Sequence, residues 1–303
     1  MPNNSITRIE LSVITLSPLS HIGKSISADN FLRTVPMRQS DGTYRSIFSY
    51  SGNALRGMFR DFMAEYILSS LNIEYESIPL ESFDFIFSSG VIGGQSKFDP
   101  NRIKLMKNIY PPFGLLGGNL NNMMMQGKTS FSDIVPVCKE TEHNLNLLNY
   151  AHVNNEDYAH SYYDLISELE YTRSDDSKSN NINTSPYLKP LEKERKSAVQ
   201  MRYKDEILNE GVLLKGEILL NKETPFELGA LFSAFHHLKT LPFIGGMKSK
   251  GFGKVQLEAH IGNKLIFSTN PSNQTDEYFK SVLSDYDKHL LAHKGEIISE
   301  FTA

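Results

Sequence analysis

The chain of 303 residues carries one cysteine, Cys138. A lone thiol forms no internal disulfide and builds no cysteine cage for a metal, which fits a reducing cytoplasm. The N-terminus lacks the charged, apolar and small-residue regions of a secretory signal, and no apolar run is long enough to span a bilayer. These absences predict a soluble, cytoplasmic protein with no membrane partner. Neither charge dominates: 31 Lys and Arg stand against 35 Asp and Glu, a net of −4. Such a balance argues against indiscriminate binding of nucleic acid and confines any binding surface to local stretches. No repeat and no heptad pattern appears. With 40% hydrophobic residues, the length allows one large domain or two small ones with ample core.

What is present begins with Leu241-Pro-Phe-Ile-Gly-Gly-Met-Lys-Ser-Lys-Gly-Phe-Gly-Lys-Val255, in a stretch without an acidic residue from Lys239 to Lys254. Gly245, Gly246, Gly251 and Gly253 permit positive φ and close approach of another backbone, as a loop gripping a polyanion requires. Lys248, Lys250 and Lys254 supply charge without a rigid fork, which suits phosphates better than base edges. The segment reads as a nucleic-acid-holding loop, with RNA the favoured ligand; the plainer reading is a glycine-rich turn before an edge strand. A nucleoside-triphosphate loop is excluded because Phe252 and Gly253 follow Gly251 where Lys and Ser or Thr are needed. A dinucleotide fingerprint is excluded because Gln256 stands where its third glycine belongs. Lys250-Gly-Phe-Gly-Lys-Val255 resembles the start of an RNA-recognition-motif strand but has Lys254 and Leu257 in place of aromatics.

Two further segments are locally basic. Lys24, Arg33, Arg38, Arg45, Arg56 and Arg60 face only Asp29 and Asp41, and Lys97, Arg102, Lys104 and Lys107 face only Asp99.

Thr7 to Leu16 alternates, with Ile9, Leu11 and Val13 on one face, as a half-buried strand does. A polar, basic segment with the turn signal Ser40-Asp41-Gly42 follows. Asn53 to about Leu71 has a helical stripe of Leu55, Met58, Phe59, Phe62, Met63, Tyr66 and Ile67, with Ser51 as its N-cap. Arg56 and Arg60 lie off that stripe, near the positive end of the helix. Val212 to Leu220 reads as a second core strand. Thr224-Pro-Phe-Glu227 is a capping box that opens a second amphipathic helix, and Lys254 to Ile261 alternates again. This order predicts an α+β fold with a ferredoxin-like core, followed by a helix from about Asp276 to Leu291. Pro111-Pro-Phe-Gly-Leu-Leu-Gly-Gly118 suggests a loop-rich insertion. The polar run over 172–197 predicts a segment that is mobile or ordered only by a partner.

Three short motifs then resemble one family. Ser17-Pro-Leu-Ser-His-Ile-Gly23, Phe48-Ser-Tyr-Ser-Gly-Asn-Ala-Leu-Arg-Gly57 and the loop at Gly245–Gly253 are similar to motifs of the RAMP superfamily of CRISPR-associated proteins. The likeness is to the backbone subunits that polymerise along guide RNA. Leu115-Leu-Gly-Gly118 and Phe131-Ser-Asp-Ile-Val-Pro-Val-Cys-Lys-Glu140 add a likeness to the type IV branch.

The resemblance implies an RRM-like palm over 1–84 and 205–270, an inserted finger and thumb region over 85–204, and a C-terminal helix within 271–303. It implies a non-catalytic crRNA-binding subunit with no cofactor. Its partners would be the guide, a complementary target strand, other effector subunits and copies of itself in a head-to-tail helical filament. Guide bases must stay free to pair, so contacts fall on phosphate and sugar. The expected RNA-binding residues are His21, Lys24, Arg33, Arg38, Arg45, Ser51, Asn53, Arg56, Arg60, Gly245, Gly246, Lys248, Lys250, Gly251, Gly253 and Lys254.

Two catalytic alternatives stay open. Asp29 resembles the loop aspartate with which type III backbone subunits cut target RNA, although no second carboxylate is paired with it in sequence. His21 could act as a general base, as in guide-processing endonucleases of the same superfamily. Structural or capping use is favoured for Asp29, and backbone or RNA contact for His21. Tyr158, Tyr162, Tyr163 and Tyr171 read as packing of a short helix, with an aromatic wedge between nucleotides as the sharper alternative.

Overall fold

A computed structural model describes residues 6–90, 99–120, 123–150, 153–173 and 201–302. Strand β1 (Ile6–Thr15) leads into two hairpins, β2 (Ile22–Ile26) with β3 (Asp29–Leu32) and β4 (Thr34–Arg38) with β5 (Tyr44–Phe48). Helix α1 (Gly52–Leu71) follows, then α2 (Leu80–Ser88), α3 (Pro100–Ile109) and α4 (Pro111–Leu116). Short strands β6 (Gly117–Leu120), β7 (Met123–Gln126), β8 (Thr129–Phe131) and β9 (Val135–Pro136) precede α5 (Glu142–Leu148). Strands β10 (Ile166–Arg173) and β11 (Met201–Leu208) form an arm. The chain closes with β12 (Leu213–Asn221), α6 (Pro225–Thr240), β13 (Val255–Ile261), β14 (Lys264–Ser268), α7 (Glu277–Ala292) and α8 (Lys294–Thr302).

The main sheet runs β14-β13-β1-β12-β8, with β9 also against β12. Two β-α-β units, β1-α1-β8 and β12-α6-β13, interleave so that β1 and β12 are central and antiparallel. This is the ferredoxin-like arrangement, and the fold is α+β. Alternation decides which face is covered. Ile9, Leu11 and Val13 are fully buried with Leu214, Ile218, Leu257 and Ala259, beneath Leu55, Phe59 and Met63 of α1 and Leu231, Phe235 and Leu238 of α6. Phe59 and Phe235 meet edge to face at 5.0 Å. Each such large apolar side chain contributes about 1.5–3 kcal/mol on burial.

Both caps form as the sequence predicts. Ser51 Oγ accepts from Asn53 N at 3.2 Å. Thr224 Oγ1 accepts from Glu227 N at 3.2 Å while Glu227 Oε2 accepts from Thr224 N at 2.7 Å.

The structure differs from the sequence-based expectation in three places. The polar segment after β1 forms four strands, and β2 and β3 join β11 and β10 in a second sheet ordered β10-β11-β3-β2. The β3–β11 pairing is parallel and joins residues far apart in the chain, which local periodicity does not report. Within 85–204, β8 and β9 belong to the main sheet, because Ile218, Leu219 and Leu220 are in register with Phe131, Ser130 and Thr129. A second C-terminal helix, α8, buries Ile297 and Phe301. The polar segment over 172–197 lies outside the described residues beyond Arg173. No helix among the described residues is long and apolar enough to cross a membrane.

Candidate nucleic-acid interface

The three short motifs meet at one junction. Gly246 N donates to Ser20 O at 2.8 Å, Gly253 N to Pro18 O at 2.8 Å, and Lys254 N to Ser17 Oγ at 2.9 Å. From the other side, Leu19 and Leu208 exchange two backbone bonds of 2.9 Å, so the segment after β1 lies between the glycine loop and the arm. His21 Nε2 accepts from Ser51 N at 3.2 Å, and its ring lies 4.6 Å from that of Tyr50. The Tyr50 hydroxyl accepts from Gly245 N at 3.4 Å. Ser20 Oγ is buried there without a hydrogen-bond partner among the described residues.

Asp133, to which the sequence alone assigns no role, ties this junction to α1. Its Oδ1 accepts from Gly52 N at 2.9 Å, and its Oδ2 accepts from Arg33 Nη1 at 2.8 Å and Ser49 Oγ at 2.5 Å. Burial raises its pKa, but the bonds from Ser49, Gly52 and Arg33 outweigh that and hold the carboxyl below its ordinary value. His21 moves down because burial, and then the Arg33 charge, disfavour its cation. A neutral ring with Nε2 as acceptor is what the Ser51 contact needs.

In the glycine loop, Gly245, Gly251 and Gly253 take positive φ, and Gly246 does not. Gly253 and Gly245 are the demanding positions: at φ +80° a β-carbon on Gly253 would run into the Ile244 carbonyl oxygen, and at φ +78° one on Gly245 would run into the Ser20 carbonyl oxygen. Gly251, at φ +84°, has open space around it. Lys248, Ser249, Lys250, Gly251 and Lys254 are exposed.

The expected residues divide into groups. His21, Ser51, Gly245, Gly246 and Gly253 form the junction itself. Lys24 lies on β2, and Arg38 and Arg45 on the β4–β5 hairpin; all three are exposed, as is Asn53. Arg33 is engaged by Asp133 and Ser49. Arg56 and Arg60 depart from the expectation. Arg56 Nη2 donates to the Leu116 carbonyl of α4, and Arg60 is half-buried, its charge disfavoured by burial and then by Arg56. Both turn toward the insertion because α4 covers that side of α1.

Asp29 lies on β3 in register with Lys204, and the neighbouring Asn30 Nδ2 donates to Asp205 Oδ1 at 2.7 Å. Among the described residues no group of three or more His, Cys, Asp or Glu is placed to hold a metal. Tyr158 and Tyr162 are buried in short helical turns, whereas Tyr171 lies on the arm and stacks on Tyr203 at 5.4 Å.

The outer face of the main sheet, where RNA-recognition motifs stack bases on aromatics, is charged here. Glu10 faces Glu217 and His260, and Ser12 faces Lys215 and Glu258. Arg8 joins Glu217 at 2.6 Å and Glu10 at 3.4 Å, and Lys215 Nζ donates to Ser12 Oγ at 2.6 Å. Glu10, Lys215 and His260 are buried.

No family model matches this chain, and no curated protein matches it in sequence. Among solved structures, a chain of one titled "Type IV-B CRISPR Complex" is similar, with a TM-score of 0.60 and 18% identity. The match covers 85% of this chain and 92% of that one. What the two share is the fold.

Proposed function

We propose that this protein is a guide-RNA-binding backbone subunit of a type IV CRISPR effector and that it acts without catalysis. The crRNA guide, a complementary target strand, other effector subunits and further copies of the chain in a helical filament are its partners. The observation that carries this reading is the junction of the three motifs. It presents a glycine-rich backbone and the exposed cations Lys248 and Lys254. A surface of that kind holds phosphate and ribose and leaves base edges free to pair. The fold shared with a chain of a type IV-B complex supports the same assignment.

The purified protein is expected to carry RNA, read from A260/A280, and to form rod-like or helical particles with it. On a single-stranded oligoribonucleotide, Lys248→Ala and Lys254→Ala should each lower the slope of log K against log salt by about 0.7. A protein free of nucleic acid, with no salt-dependent RNA binding, overturns the reading. The non-catalytic part has its own test. With divalent metal and a guide-paired RNA, no cleavage is expected. A cut periodic along the guide, and absent from Asp29→Ala, would make the protein a metal-dependent RNase.

A further inference from the structure

The loop lysines are not equivalent. Lys248 and Lys254 are exposed and form no ion pair among the described residues, whereas Lys250 is held from two strands of the arm. Its Nζ lies 2.9 Å from Tyr171 Oη, 4.2 Å from the centre of the Tyr171 ring and 3.9 Å from Asp205 Oδ2. Tyr171 is on β10 and Asp205 on β11, and the two strands are also joined through the parallel rings of Tyr171 and Tyr203.

Asp205 gives the contact its meaning. It is 1% exposed, in register with Leu169 on one neighbouring strand and Asn30 on the other, and Oδ1 accepts from Asn30 Nδ2. A carboxylate so deeply placed calls for a cation to offset its lost hydration, and the one within 4 Å among the described residues comes from the glycine loop. The tight turn over Lys248–Lys250, closed by Gly251 N donating to Lys248 O, separates the direction of Lys250 from that of Lys248.

We infer that Lys250 is a positioning residue and not a phosphate ligand. Its ammonium latches the glycine loop to the β10–β11 arm through Tyr171 and Asp205, and so fixes the arm's orientation relative to the surface that takes the polyanion. The cations the loop offers to a ligand are then Lys248 and Lys254. This last clause rests on the proposed RNA binding; the latch itself does not.

Two measurements on the full chain decide the matter. In hydrogen exchange without nucleic acid, Lys250→Ala is expected to speed exchange of the amides around Tyr171 and Tyr203 by about fivefold or more, because the buried Asp205 carboxylate loses its cation. Tyr171→Phe, which removes only the hydroxyl, should give part of that effect and should not add fully to Lys250→Ala. Unchanged arm exchange in Lys250→Ala overturns the latch. In RNA binding, Lys250→Ala should leave the salt slope intact, while Lys248→Ala lowers it by about 0.7. An equal loss of slope in both variants makes Lys250 a phosphate ligand and also overturns the inference. The exchange measurement needs no RNA, so absence of all RNA binding would sink the proposed function and leave the latch to be judged by exchange alone.

Discussion

The motif junction and the outer face of the main sheet solve opposite problems. The sheet face is built from side chains, with Arg8 between Glu10 and Glu217, and Lys215 bonded to Ser12, so its charges are spent on one another. The junction is built from backbone, with Gly246, Gly253 and Lys254 donating to the segment after β1 while Lys248 and Lys254 keep their ammonium groups in solvent. A fold that elsewhere takes RNA on an aromatic sheet has here a charged sheet paired within itself and a loop whose Lys248 and Lys254 form no ion pair among the described residues. Overall charge therefore says little about where a polyanion would sit; local pairing decides it.

The sharpest way to break this comparison is at Gly253. Gly253→Ala puts a β-carbon into the Ile244 carbonyl and forces a positive φ. It is expected to cost more than about 2 kcal/mol in a urea titration, since the φ penalty alone is about 1–2 kcal/mol. Gly251→Ala carries that penalty without the clash and should cost about 1 kcal/mol. Equal losses at the two positions would mean that the junction does not depend on the approach of Gly253 to Ile244.

Asp133 tests whether the junction is tied to α1. Asp133→Asn weakens the bonds to Arg33, Ser49 and Gly52 and should cost about 1–3 kcal/mol at neutral pH. The carboxyl has a lowered pKa in the folded state, so its contribution is fully present above the ordinary carboxylate range and fades as pH falls through the lowered value. The variant should therefore lose less stability on acidification than the parent. Parallel acid-denaturation curves would remove Asp133 from the account.

The smallest effect on RNA binding is expected on the sheet face. Arg8→Ala takes the cation from two largely buried carboxylates and should cost about 3 kcal/mol of stability, with RNA affinity and salt slope unchanged. A fall in slope of about 0.7 would place phosphate on the sheet and reverse the contrast.

Much of this molecule is legible in its amino-acid sequence. Alternation locates β1 and β13 to within a residue, since a half-buried strand must repeat every second position, and the apolar run from Val212 to Leu220 locates β12 as closely. Ser51 and Thr224-Pro-Phe-Glu227 mark the starts of the two covering helices because capping chemistry is local. The glycine loop and the other two motifs can be read as separate strings. Asp133 is also in view, inside Phe131-Ser-Asp-Ile-Val-Pro, but nothing in the string links that carboxylate to Gly52.

Only the tertiary structure decides which pieces meet. The sheet of β2, β3, β10 and β11 joins segments on either side of α1 and the insertion, and its parallel β3–β11 contact is set by chain closure. Arg56 is free on a helical wheel, yet α4 brings the Leu116 carbonyl to it. Lys250 reads like its neighbours in the string, yet Asp205 lies buried beside it. The reason is common to all three. Periodicity and capping report the energetics of one element against solvent or a generic core, whereas pairing of distant strands and neutralisation of buried charge depend on which elements the whole chain can bring together.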